Sequence, residues 1–410
     1  MNDFPIQVIR SQFPALERII DGKPAVFFDG PAGSQTPRRV VDAIGDYLIH
    51  HNANHGGAFA TSIENDALLL EAQLAAADFF GSSDPHSIVF GANMTTLTFA
   101  FSRALAQTWH RGDEVIVTDL DHDANVTPWI MAARDRGATV KRIRIHPDDC
   151  TLDLDQLHAL LTPRTRLVAI GCASNAVGTI NPVRPLIDLA HASRAEVFLD
   201  AVHYAPHALI DVAAWGCDYL ICSAYKFFGP HAGILWGKRK RLEELSPYKV
   251  RPASNDCPDR WMTGTPNFEC IAGVRACIDY LADLGEGDDR RAKLRSAFQK
   301  IGDYERSLGQ RLLEGLARIP DIKVLGITDP ARLKERVPTV SIVHAKQPAK
   351  AVAEHLAKHG IFVWHGNFYA LALSEALGLE PHGMVRIGLL HYNTAEEIDR
   401  LLDVLKRCPS

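Results

Sequence analysis

The chain is 410 residues long, and its pattern predicts an α/β fold: a large domain with a mostly parallel seven-stranded sheet, then a smaller α+β C-terminal domain. Three observations predict it. Between about residues 85 and 237, short β-rich apolar runs alternate with helical periodicity, as expected of a sheet covered on both faces. Residues 248–268, rich in Pro, Asn, Asp, Thr and Gly, then interrupt the pattern and read as a long functional loop. Beyond it, two long helical patterns lead into a mixed run of strands and helices.

Taken in order, the expected strands are Ser87–Phe90, Glu114–Thr118, Thr139–Ile145, Leu167–Gly171, Glu196–Asp200, Tyr219–Ser223 and Gly233–Gly237. Helical patterns at Thr95–Gln107, Val126–Arg136, Asp155–Leu161 and Pro185–Ser193 fall between most of them. Seven strands within about 150 residues make one large domain. After the loop, helices are expected at 268–284 and 289–318, and strands near 322–325 and 339–343. A helix at 348–358, strands at 361–364 and 384–387, and a closing helix at 394–406 complete the chain. The expected division is residues 26–280 for the large domain and 281–410 for the small one, with residues 1–25 packing on the latter.

Hydrophobic residues make up 47% and charged residues 23%, ordinary values for a soluble globular protein, so disorder, collagen and coiled coil are excluded. A chain of this length buries a core large enough to need no disulfide or metal staple. The formal charge of −5 argues against an electrostatic nucleic-acid footprint. The one basic run, Lys238 to Arg241, reads as a solvated helix start. No apolar run approaches the roughly 18 residues of a membrane helix, and the N-terminus lacks a signal-peptide pattern, so a cytoplasmic location is expected. Eight scattered cysteines form no C-x-x-C pair, and most are expected to be reduced and buried, with no metal site.

Five segments at strand ends carry the chemistry. In Ser223-Ala224-Tyr225-Lys226-Phe227-Phe228-Gly229-Pro230, a lysine follows an apolar strand. Ligands of open parallel sheets bind beyond the carboxyl ends of strands, and a lysine desolvated there becomes nucleophilic toward a carbonyl. A surface lysine on a loop is the plain alternative. Asp200 ends the strand Val197–Asp200, 26 residues before Lys226. Pyridoxal 5'-phosphate (PLP) needs such a pair, an amine for the Schiff base and a carboxylate for the pyridine nitrogen; an N-cap aspartate is the plain alternative. Thr95 and Thr96, where a strand turns into a helix, suit a phosphate at a helix N-terminus, or simply cap it. His122 follows Glu114–Thr118 and can stack on a cofactor ring or move a proton. Asn175 follows Leu167–Gly171 and can bond a ring hydroxyl, although turns use Asn without any function. Each is weak alone; their shared placement on one sheet is the signal.

With these motifs in hand, the chain resembles the class V aminotransferase family of fold-type I PLP enzymes, most closely its cysteine desulfurase branch. The resemblance runs from Phe27-Phe28-Asp29-Gly30-Pro31 to Arg386 and His391-Tyr392-Asn393-Thr394. It implies that Lys226 is the Schiff-base lysine, Asp200 the pyridinium partner and His122 the stacking histidine. It implies that Asn175 and His203 lie near the ring hydroxyl, His203 standing where desulfurases commonly carry Gln. Thr95 and Ser223 match phosphate binders. Tyr225 replaces the histidine usually found before the lysine. Thr265, in Thr263-Gly264-Thr265-Pro266-Asn267, matches a threonine that reaches the phosphate of a neighbouring subunit, which implies a homodimer. Arg386 matches the arginine that clamps a substrate α-carboxylate, and His55 a histidine at the mouth of the site.

The chain departs from desulfurases in one loop. The segment Ile361-Phe362-Val363-Trp364-His365-Gly366-Asn367-Phe368-Tyr369-Ala370 has no cysteine where the persulfide-forming thiol belongs. Tyr369 stands about there and Trp364 replaces an arginine; a phenol cannot carry a persulfide. The chain therefore looks like a cysteine-lacking subgroup. Arg251 and Arg260 are candidates to meet a second acidic group on the substrate, with pairing to Asp256 or Asp259 as the alternative. The expectation is a PLP enzyme acting on an α-amino acid by β-elimination or transamination, with Lys226 removing the Cα proton. A racemase or epimerase, or a PLP-binding protein without turnover, are the alternatives.

Overall fold

The computed structural model describes residues 4–408. The large sheet contains β1 (Ile88–Gly91), β2 (Glu114–Thr118), β3 (Thr139–Ile143), β4 (Thr165–Gly171), β5 (Glu196–Asp200), β6 (Tyr219–Ser223) and β7 (Gly233–Gly237). They lie in the order β1-β7-β6-β5-β4-β2-β3. Only β7 runs antiparallel to its neighbours; every other pairing is parallel. The strands read as continuous apolar runs because both faces are covered. Along β5, Val197 and Leu199 enter one apolar layer and Phe198 the other. Along β6, Leu220 and Cys222 oppose Tyr219 and Ile221 in the same way.

Helices α1 (Arg38–Asp46), α2 (Ala60–Phe80), α3 (Met94–Leu105), α4 (Thr127–Arg136), α5 (Val183–Ala192), α6 (Phe268–Ala282) and α7 (Arg290–Leu316) surround this sheet or lead away from it. Phe101 of α3 and Trp129 of α4 fill one layer; Phe79 and Phe80 of α2, Leu186 of α5 and Ile271 of α6 fill the other. Polar residues start the helices where their first N–H groups need acceptors: Asn93 caps α3, Asn267 caps α6 and Asp289 caps α7.

A second, antiparallel sheet comprises β8 (Ile322–Leu325), β9 (Thr339–His344), β10 (Trp364–Gly366) and β11 (Met384–Gly388), in the order β8-β9-β11-β10. Helices α8 (Ala349–Lys358) and α9 (Ala395–Leu405) pack with α7 through Leu312, Leu356, Val352, Ile398 and Leu401. The N-terminal segment reaches these elements: Phe4 stacks on Tyr304 with centroids 4.2 Å apart, and Arg10 pairs with Glu397 at 2.9 Å. Phe13 also meets Phe228 and Tyr280.

Two expected strands are broken. Residues 139–145 divide at Arg144: Thr139–Ile143 stays in the sheet, while Ile145–His146 turns away to pair with Thr151–Leu152. Residues 361–364 divide likewise: Ile361–Phe362 pairs with Val26–Phe27, and Trp364 opens β10 beside β11. No helix among the described residues is long and apolar enough to cross a membrane.

The two sheets meet at the turn after β4. Gly178 has φ +81°, donates to Ser174 O at 3.0 Å and accepts from Val337 N at 2.9 Å. A Cβ there would lie 2.4 Å from Thr339 O on β9. Gly178→Ala is therefore expected to cost about 2–4 kcal/mol, from left-handed strain and overpacking together. Urea unfolding checks this: the midpoint should fall clearly, whereas Gly45→Ala, with open space around Gly45, should leave it unchanged or raise it.

Candidate active site

A cavity of about 530 Å³ opens beyond the carboxyl ends of β1, β2, β4, β5 and β6 and is closed by residues of β10, β11 and the loop between them. Lys226 enters it from a short turn after β6. Its Nζ donates to Pro31 O and, at 3.0 Å, to Ala32 O, and lies 4.8 Å from the centre of the Tyr225 ring. Burial, reinforced by the nearby Arg386 charge, pushes this amine down to about 7, while Asp200 opposes the shift. A substantial neutral fraction at physiological pH makes it a base and a nucleophile.

Asp200 ends β5 with one oxygen accepting from Val202 N at 2.8 Å. Burial raises its carboxyl to about 6, against the pull of that bond and of Lys226. His122 follows β2. Its Nδ1 accepts from Ala124 N at 3.0 Å, which assigns the ring proton to Nε2. Burial, then Lys226 and Arg386, push it down to about 4, so the imidazole is neutral near pH 7. Asn175 donates through Nδ2 to Phe368 O at 2.8 Å, and its Oδ1 is buried without a partner.

Arg386, on β11, is buried. It donates to Asn175 O at 2.8 Å, lies 4.1 Å over the Phe368 ring, and leaves Nε without a partner. It forms no ion pair among the described residues. Burial pushes the guanidinium down to about 9, with Asp29 and Tyr225 opposing. A buried cation without a counter-ion is costly unless a ligand supplies one.

The remaining expected residues divide into two groups. Thr95, Ser223, Tyr225, His203, Trp364 and Tyr369 border the cavity. Ser223 Oγ accepts from Met94 N at 2.9 Å at the start of α3, which leaves its proton free to donate. His203 is buried, with Nε2 2.9 Å from Thr339 Oγ1, and burial holds it neutral. Tyr225 stacks on His231 with centroids 4.8 Å apart. Thr96, Thr265, His55 and Arg251 do not border the cavity. Thr96 turns its hydroxyl back to Asn93 Oδ1 at 3.0 Å, an ordinary capping contact. Thr265 and Arg251 are exposed on the loop before α6, and His55 lies 4.0 Å from Asp66. Arg260 meets neither a carboxylate nor the cavity: it donates to the carbonyls of Glu243 and Leu245, at 2.7 and 2.9 Å.

Sequence reasoning missed Asp121, Phe368 and the carbonyls of Pro31 and Ala32. Asp121 is buried at the cavity wall, accepts from Gly171 N and from Asn125 Nδ2, and is raised to about 7 by burial, with Asp200 adding to the shift. It adjoins His122 in sequence, so its strand-end position was the available signal.

This donor set fits PLP. Hydroxyl donors at a helix N-terminus (Thr95, Ser223) suit a phosphate, the orphaned Asn175 Oδ1 suits a ring hydroxyl, Asp200 suits a pyridine nitrogen, and Lys226 is positioned to bind the aldehyde carbon.

Comparison with known proteins agrees. The class V aminotransferase family matches residues 26–401. A curated cysteine desulfurase from Salmonella gallinarum (strain 287/91 / NCTC 13346) is 33% identical over 98% of each chain. Among solved structures, the apo cysteine desulfurase of Thermococcus onnurineus NA1 superposes with a TM-score of 0.88 at 26% identity, covering 98% of this chain and 97% of that one. The cysteine desulfurase CsdA of Escherichia coli, in an S-sulfonic acid form, gives 0.85 at 27% identity over 99% of each.

The depressed Lys226 amine makes a prediction. Only the neutral amine reacts with small aldehydes, so reductive methylation of Lys226 should rise with pH about tenfold per unit below about 7 and level off above it. Peptide mass spectrometry across pH 5–10 measures this; a midpoint shared with surface lysines such as Lys350 would contradict the burial argument.

Proposed function

The chain belongs to the class V aminotransferase family and is a PLP-dependent enzyme of fold type I, and we propose that its cavity transforms an α-amino acid by β-elimination or transamination without passing sulfur to a protein thiol. One observation carries the reading: a lysine amine lowered to about 7 shares a cavity with a buried arginine that, among the described residues, makes no ion pair and feels only the more distant charge of Asp29.

PLP, when bound, supplies an electron sink for the bonding pair at the substrate's Cα. The side chains do the rest. Arg386 clamps the substrate carboxylate with the N–H groups that Asn175 O leaves free. Lys226 Nζ, released from the carbonyls of Pro31 and Ala32, takes the Cα proton. Asp200 would hold a proton at the pyridine nitrogen, and its buried position would keep water from competing for it. Neutral His122 could offer a flat, uncharged face to the ring, and Asn175 Oδ1 would accept from the ring hydroxyl.

The curated relatives are named for desulfuration, but a persulfide-forming cysteine must be an accessible thiolate. No cysteine borders this cavity. Cys172, Cys222 and Cys277 are fully buried beneath the sheet, and burial pushes their thiols far up. The reading therefore places the chain in a subgroup without the catalytic cysteine.

A homodimer belongs to the same proposal. Val41, Leu48, Ile49, Ile63, Leu70 and Leu74 are exposed on α1, the turn after it and α2. Apolar side chains collected on one surface mark an interface. Both helices pack against α6, whose start lies three residues beyond Thr265, so a second copy seated there would meet the Thr265 loop.

Three outcomes test these statements. With PLP and a panel of amino acids including cysteine and cysteine sulfinate, pyruvate release would mark elimination and amino-group transfer to a 2-oxo acid would mark transamination. A persulfide on any of the eight cysteines, formed at the turnover rate, would overturn the reading. Arg386→Gln should raise KM about 10²- to 10³-fold, because a buried charge-assisted pair to the carboxylate is lost. Sedimentation should give a dimer, and Ile49→Asp should shift it toward monomer.

A further inference from the structure

The cavity's mouth has an unusual composition. Tyr369 is 73% exposed and Trp364 is 52% exposed, although both border the site. At Tyr369 the backbone conformation is itself unusual. Phe368 and Tyr369 have φ of +57° and +58°, a left-handed conformation that disfavours bulky residues. Three hydrogen bonds hold the pair: Asn175 Nδ2 to Phe368 O at 2.8 Å, Asp123 N to Tyr369 O at 2.7 Å, and Tyr369 N to Asn367 Oδ1 at 3.1 Å. Two of them come from the segments that carry Asn175 and His122, so the loop is fastened to the site.

The aromatic groups also surround the arginine. Trp364 is the direct cross-strand partner of Arg386 in the β10–β11 pair, so their side chains lie on one face of the sheet. Phe368 lies under the guanidinium, and Tyr369, one residue on, stacks on His122 with centroids 5.4 Å apart and planes 28° apart. A substrate whose carboxylate meets Arg386 would therefore have Trp364 and Tyr369 among the walls around its side chain. Among the described residues, no guanidinium or ammonium other than Arg386 and Lys226 borders the cavity, and Arg251 and Arg260 of the same chain lie elsewhere. Within one subunit, a second acid on the substrate would meet no fixed cation beyond these two.

We propose that the substrate is an α-amino acid with an uncharged aromatic side chain, held between Trp364 and Tyr369. This rests on the reading of Arg386 as the carboxylate clamp. Unreactive carboxylates test the two ideas separately. Titration calorimetry of the PLP-loaded protein would compare propionate, 3-phenylpropionate and glutarate. 3-Phenylpropionate should bind at least about tenfold more tightly than propionate through aromatic contact, and glutarate no more tightly than propionate. Tyr369→Ala and Trp364→Ala should each reduce the preference for 3-phenylpropionate, and Tyr369→Phe should keep it. Equal binding of 3-phenylpropionate and propionate, or tighter binding of glutarate, would overturn the aromatic assignment while leaving the clamp intact. Binding of all three unaffected by Arg386→Gln would overturn the clamp itself, and with it this inference.

Discussion

Two cations buried in one cavity set the terms for the rest of the structure. Burial lowers the proton affinity of both Lys226 and Arg386, and the Arg386 charge lowers that of Lys226 further. Folding tolerates them because backbone carbonyls supply acceptors: Pro31 and Ala32 for the amine, Asn175 for the guanidinium. The two residues come from different sheets, Lys226 from the turn after β6 and Arg386 from β11, so the sheets must dock closely. Gly388, two residues past Arg386, packs so closely on Pro31 that a Cβ would overlap the proline ring. The same approach brings the Pro31 carbonyl to Lys226. The fold leaves a guanidinium with no carboxylate in ion-pair contact among the described residues and an amine lowered toward neutrality, which a carboxylate-bearing substrate and an aldehyde cofactor would suit.

The parts of the fold legible in the sequence are those where burial is uniform. The strands β2, β5, β6 and β7 run through both apolar layers, so their apolar runs begin and end with the strands themselves. Helices α1 and α2 were not singled out. Residues such as Ile63, Leu70 and Leu74 give α2 a second apolar face on its exposed side, which hides the periodicity of the buried one. The breaks at Arg144 and Val363 were invisible because β-branched residues continue across them while the pairing partner changes.

The site was legible where a functional group follows a strand. Lys226, Asp200, His122 and Asn175 were placed on that ground, and Arg386 by resemblance. Asp121 escaped because an acid beside a turn looks like a cap. The Pro31 and Ala32 carbonyls escaped because backbone acceptors leave no mark on residue identity. Arg251 and Arg260 were plausible by charge alone; the structure gives Arg260 to two carbonyls and leaves Arg251 outside the cavity. A scaffold similar to desulfurases over nearly its full length carries two left-handed aromatic residues, Phe368 and Tyr369, in the loop at the mouth of the cavity. Such loops, held by a rigid frame, are where chemistry diverges within a fold.

The most direct test is chemical capture of the cofactor. The protein would be incubated with PLP, reduced with borohydride and digested, and the modified peptide sequenced by mass spectrometry. The account predicts a single stoichiometric modification on Lys226, lost in Lys226→Ala and retained in Arg386→Gln. Modification spread over surface lysines, or none at Lys226, would contradict it.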